Sequence, residues 1–151
     1  MSNELIESWE INGRIVLYLL ESIENEWLTD VSASKGRNVG EQFVHLHNVR
    51  LMWLKSASPE LLEGLEKIEK GQDLSKEILL DSLTKSAEAI SKLIEISNGK
   101  IKGFKPHATA FVGYLISHES HHRGQIMLSL KQSGRKLSKS VGFGIWEWGV
   151  R

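Results

Sequence analysis

The chain has 151 residues, of which 40% are hydrophobic and 25% charged, as in an ordinary globular protein of one domain. Its 19 basic and 19 acidic residues cancel, which disfavours a nucleic-acid partner, because such proteins usually carry a basic surplus. There is no cysteine, which excludes disulfides and thiolate ligands, so any metal site must use histidine and carboxylate groups.

Neither the apolar runs nor the N-terminus indicates a membrane or secreted protein. The longest unbroken apolar run, from Ile15 to Leu20, is far too short to span a bilayer. The opening segment MSNELIESWE is acidic and amphipathic, without the basic start and apolar stretch of a secretion signal. We therefore expect a cytoplasmic protein without membrane or nucleic-acid partners, folded as one domain over residues 1–151.

Apolar residues spaced three and four apart predict the first helix, from Asn3 to about Trp27. The segment that follows, up to Gly40, is rich in Ser, Asn and Gly and predicts a loop. A second helix is predicted from about Gly40 to Ala57.

Ser58 followed by Pro59 predicts the start of a short third helix that ends near Gly71. A periodic stretch from Ile78 to Ile96 predicts the next long helix.

Pro106 is predicted to begin the last long helix, which continues to about Gln132. The tail contains Phe143, Trp146 and Trp148 together with glycines, and we expect an irregular arm whose aromatic rings pack against the helices. The elements predict an all-α four-helix bundle with a short extra helix and an irregular aromatic C-terminal arm.

The six histidines all lie in two of the predicted helices: His45 and His47 in the second, and His107, His118, His121 and His122 in the last. His118 and His122 are four residues apart, so they share one helix face with about 6 Å between Cβ atoms. Two imidazoles so placed can bind a single cation. Phe111 and Leu115 continue the same face, which is therefore expected to face the core. Because unpaired buried imidazoles are costly, we favour metal binding over two structural histidines.

A third ligand should come from another helix, and His45 and His47 are the candidates. They are rotated about 200° apart on a helix, so only one can face the site. Both lie on largely apolar stripes, and periodicity does not choose between them.

His118, Glu119 and His122 also match the H-E-x-x-H pattern of zinc peptidases. The extended form of that motif needs glycine and histidine where this chain has Gln125 and Leu128. The predicted fold also offers no sheet edge on which to lay a peptide. The sequence therefore disfavours a peptidase.

The segments GEQFVHLHNVRLMWL, ISHESHHRGQIMLSL and FGIWEWG together resemble the DinB family, also described as DinB/YfiT-like four-helix metal proteins. The most specific elements are the run HxxxHRGQ that begins at His118, and a histidine eight residues ahead of a tryptophan, here His45 and Trp53. The resemblance implies His45, His118 and His122 as metal ligands. It also implies an up-down-down-up bundle that is commonly a homodimer.

Three neutral imidazoles would leave coordination positions open, as in catalytic sites, and zinc and nickel suit this ligand set. By the resemblance, the protein is similar to thiol-dependent S-transferases that conjugate a low-molecular-weight thiol to a small electrophile. One alternative is a metal-dependent hydrolase using metal-bound water. The other is a non-catalytic metal-binding or stress-response protein that the ion merely holds together.

In a hydrolase, four polar residues near the ligands would be candidate proton carriers or orienting groups: Glu41, Gln42, Glu119 and Gln125. For each of them we favour a solvated surface position.

Overall fold

The computed structural model describes residues 3–151, and within that range it contains helices and turns but no strand. The four long helices are α1 (Asn3–Glu21), α2 (Val39–Ala57), α3 (Lys76–Ile96) and α4 (Ala108–Gln132). A short α5 (Lys139–Gly144) follows, and 3₁₀ turns occur at Asn25–Thr29 and Pro59–Leu62. Helices α1 and α2 each pack against both α3 and α4. The predicted all-α class is confirmed.

Helix α1 ends earlier than periodicity predicts, at Glu21 rather than near Trp27. The chain turns there and continues as the 3₁₀ turn, in which Asn25 accepts a hydrogen bond from the backbone N–H of Lys76 at 3.0 Å. The apolar stripe continues through Ile23 and Leu28 because both still reach the core. The apolar period therefore extended past the end of the helix.

The short helix predicted from Ser58 to Gly71 is reduced to Pro59–Leu62. Gly64 then adopts a positive φ of 78°, which turns the chain back along α2. Asn48 of α2 pairs with the backbone of Ile68 through both amide atoms, at 2.9 and 3.0 Å. A side chain 20 residues away thus replaces the helical hydrogen bonds of this segment.

Side-chain caps fix where α2 and α4 begin. Asn38 accepts from the backbone N–H of Glu41, whose carboxylate accepts from the N–H of Asn38 in return. Helix α4 begins after His107, whose Nδ1 accepts from the N–H of Ala110 at 3.1 Å. Pro106 therefore precedes the cap instead of lying in the first turn.

The core has two apolar clusters with a layer of buried polar residues between them. One cluster contains Phe43, Leu83 and Leu130, and the other contains Trp9, Ile90 and Phe111. Along each long helix the polar residues fall between the two clusters: Asn12 on α1, Arg50 on α2, Ser86 on α3, and Glu119 and Arg123 on α4. We call these five residues the polar layer.

Arg50 and Glu119 form the centre of the polar layer, and both are essentially inaccessible to solvent. Arg50 donates to both carboxylate oxygens of Glu119, at 2.8 and 2.7 Å. Asn12 donates to Glu119 at 2.9 Å and accepts from Arg123 at 2.7 Å. The solvated position expected for Glu119 was wrong, and its buried ion pair fixes the register of α2 against α4.

The tail differs from the expected irregular arm because it contains α5. The expected packing is also wrong for two of its aromatic residues, since Phe143 and Trp146 are 70% and 73% exposed. Across residues 3–151, no helix has the length and apolar character needed to cross a membrane.

Candidate metal centre

Three histidines from two helices meet at one point beside the polar layer. His45 on α2 and His118 on α4 are half-buried, and His122 on α4 is buried. One ring nitrogen from each lies within 4.8 Å of the others, and the Nε2 atoms of His45 and His118 are 3.2 Å apart. The ring centroids are separated by 4.6–5.1 Å. We call these three residues the histidine triad.

The spacing of the histidine triad suits a bound divalent ion. Two nitrogens that each bind zinc at 2.0–2.1 Å in a tetrahedral site lie about 3.3 Å apart. The Nε2 atoms of His45 and His118 are already at that separation. The donor set therefore fits a metal ion that accepts nitrogen ligands.

Gln42 orients the third ring. Its Oε1 lies 2.6 Å from Nδ1 of His122. An amide oxygen can only accept a hydrogen bond, so Nδ1 carries the proton and Nε2 keeps its lone pair for a metal ion. Gln42 is only 5% exposed, so the predicted surface position was wrong. The signal was present in the sequence, because Gln42 and His45 are three residues apart and share one face of α2.

The environment keeps the triad uncharged at neutral pH. Burial lowers the pKa of all three rings, and the pKa of both His45 and His122 falls to about 4. The Arg37 guanidinium also lowers the pKa of each of the three rings. Neutral imidazoles have the free lone pairs that a metal ion requires.

The remaining histidines lie outside the triad. His47 is buried on another face of α2, where Nε2 lies 2.8 Å from the carbonyl oxygen of Glu66 and so donates to it. It holds the segment after Gly64 and leaves His45 to meet His118 and His122. His121 is exposed at the rim, with its ring centroid 5.0 Å from that of His122.

Beside the triad lies an open cleft of about 770 Å³, lined by His45, Arg37, Glu41, Asn48 and residues 67–74. We call it the histidine cleft. Of the histidine triad, His45 lines this cleft.

The H-E-x-x-H pattern of His118, Glu119 and His122 does not place its glutamate as it would lie in a peptidase active site. A metallopeptidase of this motif uses the glutamate as a general base. Both oxygens of Glu119 are instead held by Arg50, and one also accepts from Asn12. Glu119 thus serves the packing of the helices.

The fold and the site define a helical protein with three histidines able to hold a metal ion. The sequence profile of the DinB family matches residues 1–140. The protein therefore belongs to the DinB family. Comparisons with curated proteins and with solved structures found no match.

Proposed function

We propose that this protein is a divalent-metal-dependent transferase that joins a low-molecular-weight thiol to a small electrophile. The observation that carries the proposal is the convergence of His45, His118 and His122 beside the open histidine cleft. Three protein ligands leave room for a substrate, whereas a structural site is closed by a fourth. Zinc and nickel are the ions that we propose for this all-imidazole donor set.

The chain itself suggests how the thiol would enter. It has no cysteine, so any sulfur nucleophile must come from a cosubstrate. When bound, a divalent ion would hold the sulfur of that thiol as a thiolate, the form that attacks electrophiles. The sulfur would then bond to carbon of the electrophile as the leaving group departs. Small thiols are kept reduced in the cytoplasm, where we propose that the protein acts.

The protein residues would position and shield this reaction. Gln42 fixes the tautomer of His122, and the buried pair of Arg50 and Glu119 holds α2 and α4 in register. The rings of His45 and His122 remain uncharged down to acidic pH because of their lowered pKa values. The triad is thus prepared for an ion before substrate arrives.

The direct test is conjugation of cysteine, glutathione and coenzyme A to monochlorobimane and to chlorodinitrobenzene, with zinc-loaded and nickel-loaded protein. We expect a metal-dependent rate with at least one thiol. The rate should disappear in a His45→Ala variant and persist in His47→Gln, whose amide can still donate to Glu66. Absence of a metal-dependent rate with every thiol would contradict the proposal, and metal-dependent ester hydrolysis instead would favour the hydrolase.

The homodimer implied by the family resemblance is retained as a proposal. Leu128, Phe143 and Trp146 are exposed large apolar residues, and they line a groove of about 900 Å³ between α4 and the tail. Apolar surface of this kind is typical of interaction sites. Light scattering over a range of concentrations should give twice the mass of one chain, and a constant monomer mass would contradict the proposal.

A further inference from the structure

Arg37 is an exposed arginine beside the histidine triad. It lines the histidine cleft together with His45, and it also lines a smaller cleft of about 240 Å³ together with Gln42. Its side chain is exposed, and its guanidinium forms no hydrogen bond or ion pair with residues 3–151. In contrast, Arg50 and Arg123 donate to side-chain oxygens.

The backbone around Arg37 is held in place. The N–H of Val39 donates to the carbonyl of Asp30 at 2.9 Å, and the N–H of Ala33 donates to the side chain of Gln132. Arg37 directly precedes Asn38, which caps α2. The backbone of Arg37 is therefore held next to the start of the helix that carries Gln42 and His45.

Two carboxylates, Glu119 and Glu41, are the ones to weigh against the charge of Arg37 near the rings. Glu119 is paired with Arg50. Glu41 lines the histidine cleft, and one of its oxygens accepts from the backbone N–H of Asn38 at 3.0 Å, so its single negative charge remains and offsets one positive charge. The segment of residues 67–74 that also lines the cleft carries two positive and two negative side chains, which balance: Lys67, Lys70, Glu69 and Asp73.

The charge balance becomes more positive once an ion is bound. Three neutral imidazoles do not compensate the charge of a divalent ion, and Arg37 adds a positive charge in the histidine cleft where Glu41 adds a negative one. The ion, Arg37 and Glu41 together therefore leave two positive charges. Placing uncompensated charges together is unfavourable, so this arrangement favours a ligand that brings negative charge. A thiolate supplies only one such charge.

We propose that the thiol cosubstrate is an acidic thiol, with an anionic group such as a carboxylate near its sulfur, and that Arg37 binds this group. The inference rests on the proposed function, because it assumes that the sulfur meets the triad. A guanidinium presents paired N–H donors that match a carboxylate, and such charge-assisted hydrogen bonds are among the stronger polar contacts. Arg37 would then set specificity for the thiol without touching the reacting sulfur.

The test measures binding instead of turnover. Cobalt-loaded protein is titrated with mercaptopropionate and with its neutral analogue mercaptopropanol, and the sulfur-to-cobalt absorption band reports each affinity. We expect the wild type to prefer the acidic thiol about tenfold, as one charge-assisted contact implies. Arg37→Gln should abolish most of this preference, and Arg37→Lys should retain part of it. Arg14→Gln is the matched control, because it removes an exposed arginine that lines a different cleft.

The outcomes separate the two proposals. If Arg37→Gln keeps the wild-type preference for the acidic thiol, the inference is wrong and the proposed function stands. If neither thiol produces the absorption band in the wild type, the proposed function fails and the inference fails with it. If Arg14→Gln loses the preference as fully as Arg37→Gln, the effect is one of net charge and the inference is overturned.

Discussion

The Arg50→Met substitution is the sharpest test of how the helices are held together. Arg50 is 0% exposed and makes four hydrogen bonds, two to Glu119, one to the carbonyl of Leu83 and one to Ser86. Methionine replaces the apolar stem of arginine but none of these donors. Glu119, which is 1% exposed, would then keep only the hydrogen bond from Asn12.

Removing one partner of a buried ion pair costs about 3–5 kcal/mol, because the other charge stays buried without compensation. In a chain of this size each kcal/mol lowers Tm by roughly 2–4 °C. We therefore expect Arg50→Met to lower Tm by roughly 6–20 °C. Urea denaturation followed by circular dichroism gives the free energy of unfolding, and a thermal scan gives Tm.

Two further variants distinguish the free-energy cost of leaving a buried charge unpaired from the cost of losing an ion-pair contact. The double variant Arg50→Met with Glu119→Gln removes both members of the ion pair and leaves an amide oxygen for Asn12, but it also takes from Arg123 a carboxylate that stabilises its charge, so it should recover only part of the lost stability. Lys85→Met breaks the exposed ion pair with Asp81, at 2.9 Å, and should cost less than about 1 kcal/mol. A cost below about 1 kcal/mol for Arg50→Met would contradict the role assigned to the buried ion pair.

Three other predictions concern the triad. Gln42→Leu should weaken zinc binding about 10–100-fold, because His122 loses its orienting partner; an unchanged affinity in competition with a chelating dye would contradict this. Removal of metal by a chelator should leave the helical circular dichroism signal intact, because the apolar clusters and the polar layer do not include the triad. Unfolding on chelation would favour the alternative in which the ion only holds the chain together. The metal-free protein should lose stability as the pH falls from about 6.5 towards 4. In the folded protein the rings of His45 and His122 have pKa values of about 4 and stay unprotonated over this range, whereas the same rings in the unfolded chain bind protons. A urea midpoint that stays constant over this range would contradict the prediction.

The helices and one pair of site residues could be predicted from local sequence. The spacing of His118 and His122 places them on one face of any helix, and the apolar period located α3 and α4 closely. His45 could not be chosen over His47 by periodicity, since both lie among apolar residues. The choice depends on the carbonyl of Glu66, which covers His47 only after the segment beyond Gly64 folds back.

The polar contacts were missed because their partners are far apart in sequence. Glu119 and Arg50 are separated by 69 residues, and Gln42 and His122 by 80. For Glu119, no local signal distinguishes a buried, paired position from a solvated one, and for Gln42 the local signal is its spacing from His45 and not from its partner His122. The predicted length of the short helix was wrong for the same reason, because the hydrogen bonds from Asn48 determine the path of the backbone at Ile68.

The histidine site is tested most simply by the metal content of purified protein after zinc loading, measured by elemental mass spectrometry. We predict one ion per chain in the wild type and in His47→Gln, and none in His45→Ala. A full complement of zinc in His45→Ala, or its loss in His47→Gln alone, would contradict the proposed histidine site.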